Sequence, residues 1–270
     1  MNSIDFLREH NVAVDQSLEL FGDIETYNET LVEFKNGIEG KLERIDKFFK
    51  EADMPNYAIL VHSLKSDCKY FGFMDLADLA YQHELESKAS NINFVTANYQ
   101  ALVTKANEIK NLVNEYFSDD PAPEPAAAPV APTAPVAPAP APTERGVILV
   151  ADDSEVIRLF VKKIFDAEKD IEIAQNGNEA IEVIKKYQTT NRIEAILLDL
   201  NMPGSDGFVV LDYLRDNNLL GSMPVTIISG DSSSDAINRA FTYNIVDMLN
   251  KPFSEAKIKD AVEKTIAQKQ

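Results

Sequence analysis

VILVADDSEVIRLFVKKIFD, residues 147–166, decides how the second half of the chain folds. Val147–Ala151 form an unbroken apolar run of the length expected for a strand buried on both faces. Two carboxylates follow, Asp152 and Asp153, and an amphipathic segment then opens at Ser154, a residue suited to cap a helix. The alternation repeats downstream. The short runs IEIA, AILL, VTII and IVDML are separated by segments such as NEAIEVIKKY. Five strands separated by helices imply a parallel sheet covered on both faces, an α/β doubly wound fold.

In such a sheet, chemistry collects at the carboxyl ends of the strands. Those ends carry Asp152 and Asp153, then Asp199, Ser229 and Lys251. Taken singly, each has a plain explanation: an acid capping the next helix, or a lysine as a solvated charge. Converging on one edge, three carboxylates repel one another unless a cation joins them. Mg²⁺ suits hard oxygen ligands and keeps positions for water and phosphate. A carboxylate nucleophile beside a hydroxyl and an ammonium makes a site for phosphoryl transfer.

VILVADDSEVIR, AILLDLNMPGSDGF, TIISGD and LNKPF together resemble the receiver domain of two-component response regulators, with a flavodoxin-like five-stranded fold, across residues 146–270. The resemblance implies that Asp199 is the phosphoacceptor. It also implies that Asp153, Asp199 and the Asn201 main-chain carbonyl hold Mg²⁺, that Asp152 completes the acidic pocket, and that Ser229 and Lys251 contact the phosphoryl oxygens. It further implies a cis Lys251–Pro252 bond. Receivers usually carry Tyr or Phe three residues before the lysine; Met248 stands there, a flexible thioether without a planar ring. Polar Asn201 and Asp231, each two residues beyond Asp199 or Ser229, are expected to admit a hydrolytic water.

The first half has a different period. Tyr27, Leu31, Phe34, Ile38, Leu42, Ile45 and Phe49 make one helical stripe, and Val95 through Tyr116 make another. Between them VHSLKSDCKYFG, residues 61–72, continues a stripe of Tyr57, Val61, Leu64, Cys68 and Phe71, and Gly72 ends it. A further helix runs through Leu76, Leu79 and Ala80. Four amphipathic helices predict an all-α antiparallel bundle over 1–118. Residues 119–145 hold nine of the thirteen prolines, alternating with alanine, and read as an extended linker reaching roughly 70–80 Å at about 3.1 Å per residue.

His62 lies one residue off its stripe, which predicts a solvent-facing imidazole, with Lys65 and Lys69 a turn or two away. HSLKSDCKYFGFMDLADLA resembles the histidine phosphotransfer (HPt) domain, whose pattern His-x-Leu-Lys-Gly/Ser is met by His62, Leu64, Lys65 and Ser66, with Gly72 as its later glycine. The resemblance implies phosphorylation of His62 on Nε2. His83 continues an apolar stripe and reads as packed; Cys68 reads as core; His10 carries no role.

The net charge of −18 and the absence of a long basic run exclude a phosphate-backbone binder. With a single cysteine there is no internal disulfide. No apolar run reaches the length of a bilayer span, and no leader precedes the first helix, so a cytoplasmic protein without membrane insertion is expected. The expected function is two-component signalling by a phosphorelay protein with acceptors at Asp199 and His62. No glycine loop resembles a kinase ATP site, so the chain is expected not to be an enzyme. A histidine kinase or hybrid kinase would act upstream, with other receiver or HPt proteins as partners. Two alternatives stand beside this: an interaction protein switched by Asp199, with the bundle as docking module or phosphate sink, and a magnesium-dependent phosphohydrolase.

Overall fold

The computed structural model describes residues 2–118, 145–230 and 234–270; the expected linker, apart from Arg145, and Asp231 lie outside the described residues. Six helices come first among them: α1 (Ile4–Glu9), α2 (Val14–Phe21), α3 (Ile24–Lys50), α4 (Met54–Phe71), α5 (Met74–Lys88) and α6 (Ile92–Tyr116). The four long ones are the expected bundle. Helices α1 and α2 are additional, and at 6 and 8 residues they are too short to show a clear period in sequence.

Local chemistry sets the ends of the helix that carries His62. The Asp53 carboxylate accepts the Asn56 N–H at 3.2 Å, and Pro55 sits in the first turn, where no intrahelical donor is needed. Gly72 closes the helix at φ 79°, and a Cβ there would lie 2.7 Å from the Ala13 backbone. Left-handed geometry and close approach both call for glycine.

The second half alternates β1 (Val147–Ala151), α7 (Glu155–Phe165), β2 (Asp170–Ala174), α8 (Gly177–Tyr187), β3 (Ile193–Leu198), α9 (Gly207–Asp216), β4 (Val225–Ser229), α10 (Ser234–Phe241), β5 (Asp247–Asn250) and α11 (Glu255–Ala267). The strands are all parallel in the order β2-β1-β3-β4-β5. This is the doubly wound sheet the apolar runs predict. Register matters here: Ala151 pairs with Leu198, so Asp152 and Asp199 leave the sheet side by side. The Lys251–Pro252 bond is cis, as the resemblance implies.

The two halves are packed together. One contiguous apolar cluster contains Phe21, Phe71 and Tyr70 from the helices with Phe160, Phe253 and Ile258 from the α/β half. The Phe21 and Phe160 rings meet edge-on at 5.1 Å, and Tyr70 meets Phe253 at 5.8 Å. The Tyr70 hydroxyl accepts the Phe253 N–H at 3.1 Å, and Glu29 pairs with Lys163 at the rim. This contact corrects one sequence expectation. The polar face of α4 does not look into solvent: His62, Ser63, Lys65, Ser66 and Asp67 are buried. A single-helix period cannot show this, because the covering surface lies far along the chain.

Candidate functional site

The carboxyl edge of the sheet gathers the acidic residues. Ligand atoms of Asp152, Asp153 and Asp199 lie within 4.8 Å of one another. Lys251 enters from the end of β5, its Nζ 2.6 Å from Asp152 Oδ2 and 2.5 Å from Asp199 Oδ2. Burial pushes the Asp152 carboxyl up to about 6; Lys251 opposes the rise and neighbouring Asp199 adds to it. Burial raises Asp153 as well, reinforced by Asp152. For Lys251, burial alone would lower the ammonium, but Asp152 and Asp199 outweigh it and hold it above the ordinary lysine value. Negative charge is therefore in excess, the condition that favours a bound cation.

The other residues expected at this edge are close by. Ser229 is the buried last residue of β4, and its carbonyl accepts the Lys251 N–H at 2.8 Å. The Asn201 N–H donates to Asp199 Oδ1 at 2.9 Å, fixing that carboxylate. Met248 is part-buried against the core of the α/β half. Arg158 braces the site from α7 through a 2.6 Å bond to the Asp152 carbonyl.

Across from this edge stands His62. Its Nδ1 lies 2.7 Å from Glu84 Oε1 on α5. A carboxylate only accepts, so Nδ1 donates its proton to Glu84 and Nε2 is the ring nitrogen left facing the receiver. Nε2 is buried and has no hydrogen-bond partner among the described residues. A Cβ at Gly230 would stand 3.1 Å from Nε2, so the imidazole lies over the main chain one residue beyond Ser229.

Lys65 does not face the acidic edge; its Nζ is 2.6 Å from Glu84 Oε2, and Lys88 reaches Glu84 Oε1 at 2.7 Å. Burial alone would raise Glu84, but His62 and Lys65 reverse this and hold it well below the usual carboxylate range. The Lys65 ammonium is lowered, chiefly by burial. Glu84, Lys41 and Asp67 went unrecognised in the sequence. Each acts across helices, and no spacing along one helix marks such a pair. A cavity of about 120 Å³ between α3 and α7 is lined by Lys41, Asp67, Asp153 and Arg158.

Residues 148–263 match the family described as the response regulator receiver domain. The chain is 37% identical over 110 residues to the protein-glutamate methylesterase/protein-glutamine glutaminase of Caldanaerobacter subterraneus subsp. tengcongensis, covering 39% of this chain and 28% of that protein. It is 29% identical to the probable C4-dicarboxylate response regulator DctR of Priestia megaterium, covering 43% of this chain and 50% of that one. A solved Francisella response regulator receiver domain is 30% identical and covers 46% of this chain and 98% of its own, at a TM-score of 0.40. The chain thus spans half or less of these two curated relatives.

These relatives overturn the expectation of a non-enzyme. Methylesterase/glutaminases of three organisms carry a similar stretch, so a receiver of this type also occurs in enzymes. The similarity is confined to 28–30% of the length in the first two, which shows no enzymatic role for this chain. Among the described residues no helix is long and apolar enough to cross a membrane. The sheet order, the strand-end residues and the family match agree: residues 148–263 are a response-regulator receiver domain.

Proposed function

We propose that the chain is a phosphorelay protein with two stations, Asp199 in the receiver and His62 in an HPt-type bundle, which exchange a phosphoryl group within one chain. The observation that carries this reading is His62 Nε2, buried without a hydrogen-bond partner among the described residues and lying over Gly230 beside Ser229. In the transfer, the Nε2 lone pair attacks phosphorus of an Asp199 acyl phosphate. The N–P bond forms as the P–O bond to Asp199 breaks, and the carboxylate leaves toward Lys251. The imidazole gains positive charge while its Nδ1–H stays on Glu84, whose carboxylate balances it.

The donor set fits Mg²⁺: three clustered carboxylates, two of them raised chiefly by burial and further by a neighbouring carboxylate. Asp152, Asp153 and Asp199, with the Asn201 carbonyl, would hold the ion. When bound, it would neutralise phosphoryl oxygens. Ser229 and Lys251 would contact those oxygens from the protein side. A histidine or hybrid kinase in the cytoplasm would supply phosphate, and other receiver or HPt proteins would take it onward.

One observation favours a second reading. His62 is 2% exposed and Asp199 is fully buried in the docked form. Phosphorylation of Asp199 could then act by prising the bundle away, making docking itself the output.

The test is intact mass of wild type, His62→Gln and Asp199→Ala after incubation with acetyl phosphate and Mg²⁺, with the label treated with acid and alkali. An alkali-stable, acid-labile label at His62 that needs Asp199 supports the relay. Labelling of Asp199 alone favours the switched-docking reading. No label on either residue overturns both.

A further inference from the structure

The contact between bundle and receiver contains one buried polar bridge that the transfer chemistry does not use. Asp67 lies on α4, 3% exposed. Its Oδ2 pairs with Lys41 Nζ from α3, and Lys41 Nζ also donates to Ser63 Oγ at 2.9 Å. Its Oδ1 accepts the Ser154 hydroxyl at 2.5 Å from the receiver. Ser154 uses its hydroxyl fully: the oxygen accepts the Ile157 N–H at 3.3 Å as the cap of α7, and the proton goes to Asp67. Its main-chain N–H donates to Asp152 Oδ1 at 2.9 Å, tying the bridge to the acidic edge.

We propose that Asp67, held by Lys41, determines which receiver the bundle accepts: one that offers a hydroxyl donor at the position Ser154 occupies, immediately after the acidic pair. The bundle neutralises Asp67 with its own lysine but leaves one carboxylate oxygen turned outward. Docking removes that oxygen from water, so the receiver must provide a donor. A receiver with an apolar side chain there strands a desolvated carboxylate oxygen, and one with an acidic side chain places two carboxylates face to face. The chain's own receiver meets the requirement, and receivers without the hydroxyl are rejected. This selection concerns docking and does not depend on phosphoryl transfer.

The experiment is the rate of carbethoxylation of His62 by diethyl pyrocarbonate in the full chain, read by peptide mass against exposed His10 as internal reference. In the docked form His62 Nε2 is buried against Gly230 of the receiver, so its rate reports opening. Asp67→Ala and Ser154→Ala each speed His62 modification by about 10- to 100-fold, the effect of losing a hydrogen bond to a charged group. The double variant is faster than wild type by much less than the product of the two single effects, because both remove the same bond; the capping loss, present in Ser154→Ala and in the double, cancels in that cycle. Ser154→Thr, which keeps the hydroxyl, modifies at the wild-type rate. Far-UV circular dichroism checks that each variant is folded, and Ser154→Ala leaves the bundle untouched if Asp67→Ala does not fold. Wild-type rates in both alanine variants, multiplicative effects in the double variant, or a Ser154→Thr rate equal to that of Ser154→Ala overturns the proposal. Intact coupling with no phosphohistidine sinks the relay and spares the bridge; phosphohistidine with no coupling does the reverse.

Discussion

His62 and His83 sit on neighbouring helices of one bundle, 2% and 0% exposed, each with Nδ1 bonded and Nε2 unpartnered. Burial and bonding count do not separate them. The Nδ1 partner and the surroundings of the ring do. His83 faces the neutral Tyr57 hydroxyl at 2.7 Å and meets the Phe94 ring edge-on at 5.9 Å, and burial lowers its pKa. His62 faces a carboxylate fed by two lysines, and its free nitrogen looks at the receiver main chain. One imidazole is packing. The other lies between a carboxylate and the receiver, as the proposed transfer requires.

The comparison breaks most visibly by exchange of function. His62→Gln should abolish the alkali-stable label, while His83→Phe should retain it; a label lost equally in both would place the two histidines in one class. Next in size is Glu84→Ala, which leaves Lys65 and the His62 proton buried without their partner. About 3–5 kcal/mol of stability should disappear at neutral pH, measured by urea denaturation. The depressed Glu84 carboxyl gives the sign of its pH dependence: its contribution is present above the unfolded carboxyl pKa and fades as pH falls through the lower folded value.

Asp152 sharpens the contrast from the other side. Its carboxyl is raised to about 6 from 3.8, so its contribution is complete below the unfolded value and is lost as pH rises through about 6. Without Mg²⁺, the stability difference between Asp152→Asn and wild type should therefore move in favour of the variant by about 2 kcal/mol between pH 4 and pH 7. Added Mg²⁺ should reduce that advantage. A difference independent of pH would show that Lys251 already compensates the charge. The smallest effect expected is for Tyr70→Phe, which strands the Phe253 N–H at the interface. About 1 kcal/mol lost there should appear as a few-fold faster modification of His62 and no change at His83.

The receiver was legible because its chemistry is written at strand ends. Apolar runs stop at Asp152 and Asp199, Lys251 follows one residue after the last strand, and parallel pairing brings these positions to one edge. The bundle's apolar stripes were legible for the same reason: Tyr27, Leu31 and Phe34 recur at the helical period and are buried. What covers the polar face of α4 was not. Helical period separates a core face from its opposite and says nothing of what that opposite face meets, so His62 reads as exposed until the receiver is seen against it. Glu84 and Lys41 were missed because a partner on another helix leaves no spacing rule in the chain. Met248 was noted as a departure, and its part-buried thioether fills a place against the receiver core without a ring.

The docked bundle and receiver belong to one polypeptide, and that has a consequence for any outside protein. Partners joined in one chain face each other at an effective concentration of up to about millimolar. A separate receiver or phosphotransfer protein present at about micromolar levels must therefore bind up to roughly a thousandfold more tightly than the resident domain to take its place. Cross-talk is filtered by competition with a neighbour that never leaves. The surface around Ser154 and Tyr70 then works as an occupied seat, yielded only to a partner that fits it better or to a chemical change that makes the resident fit worse.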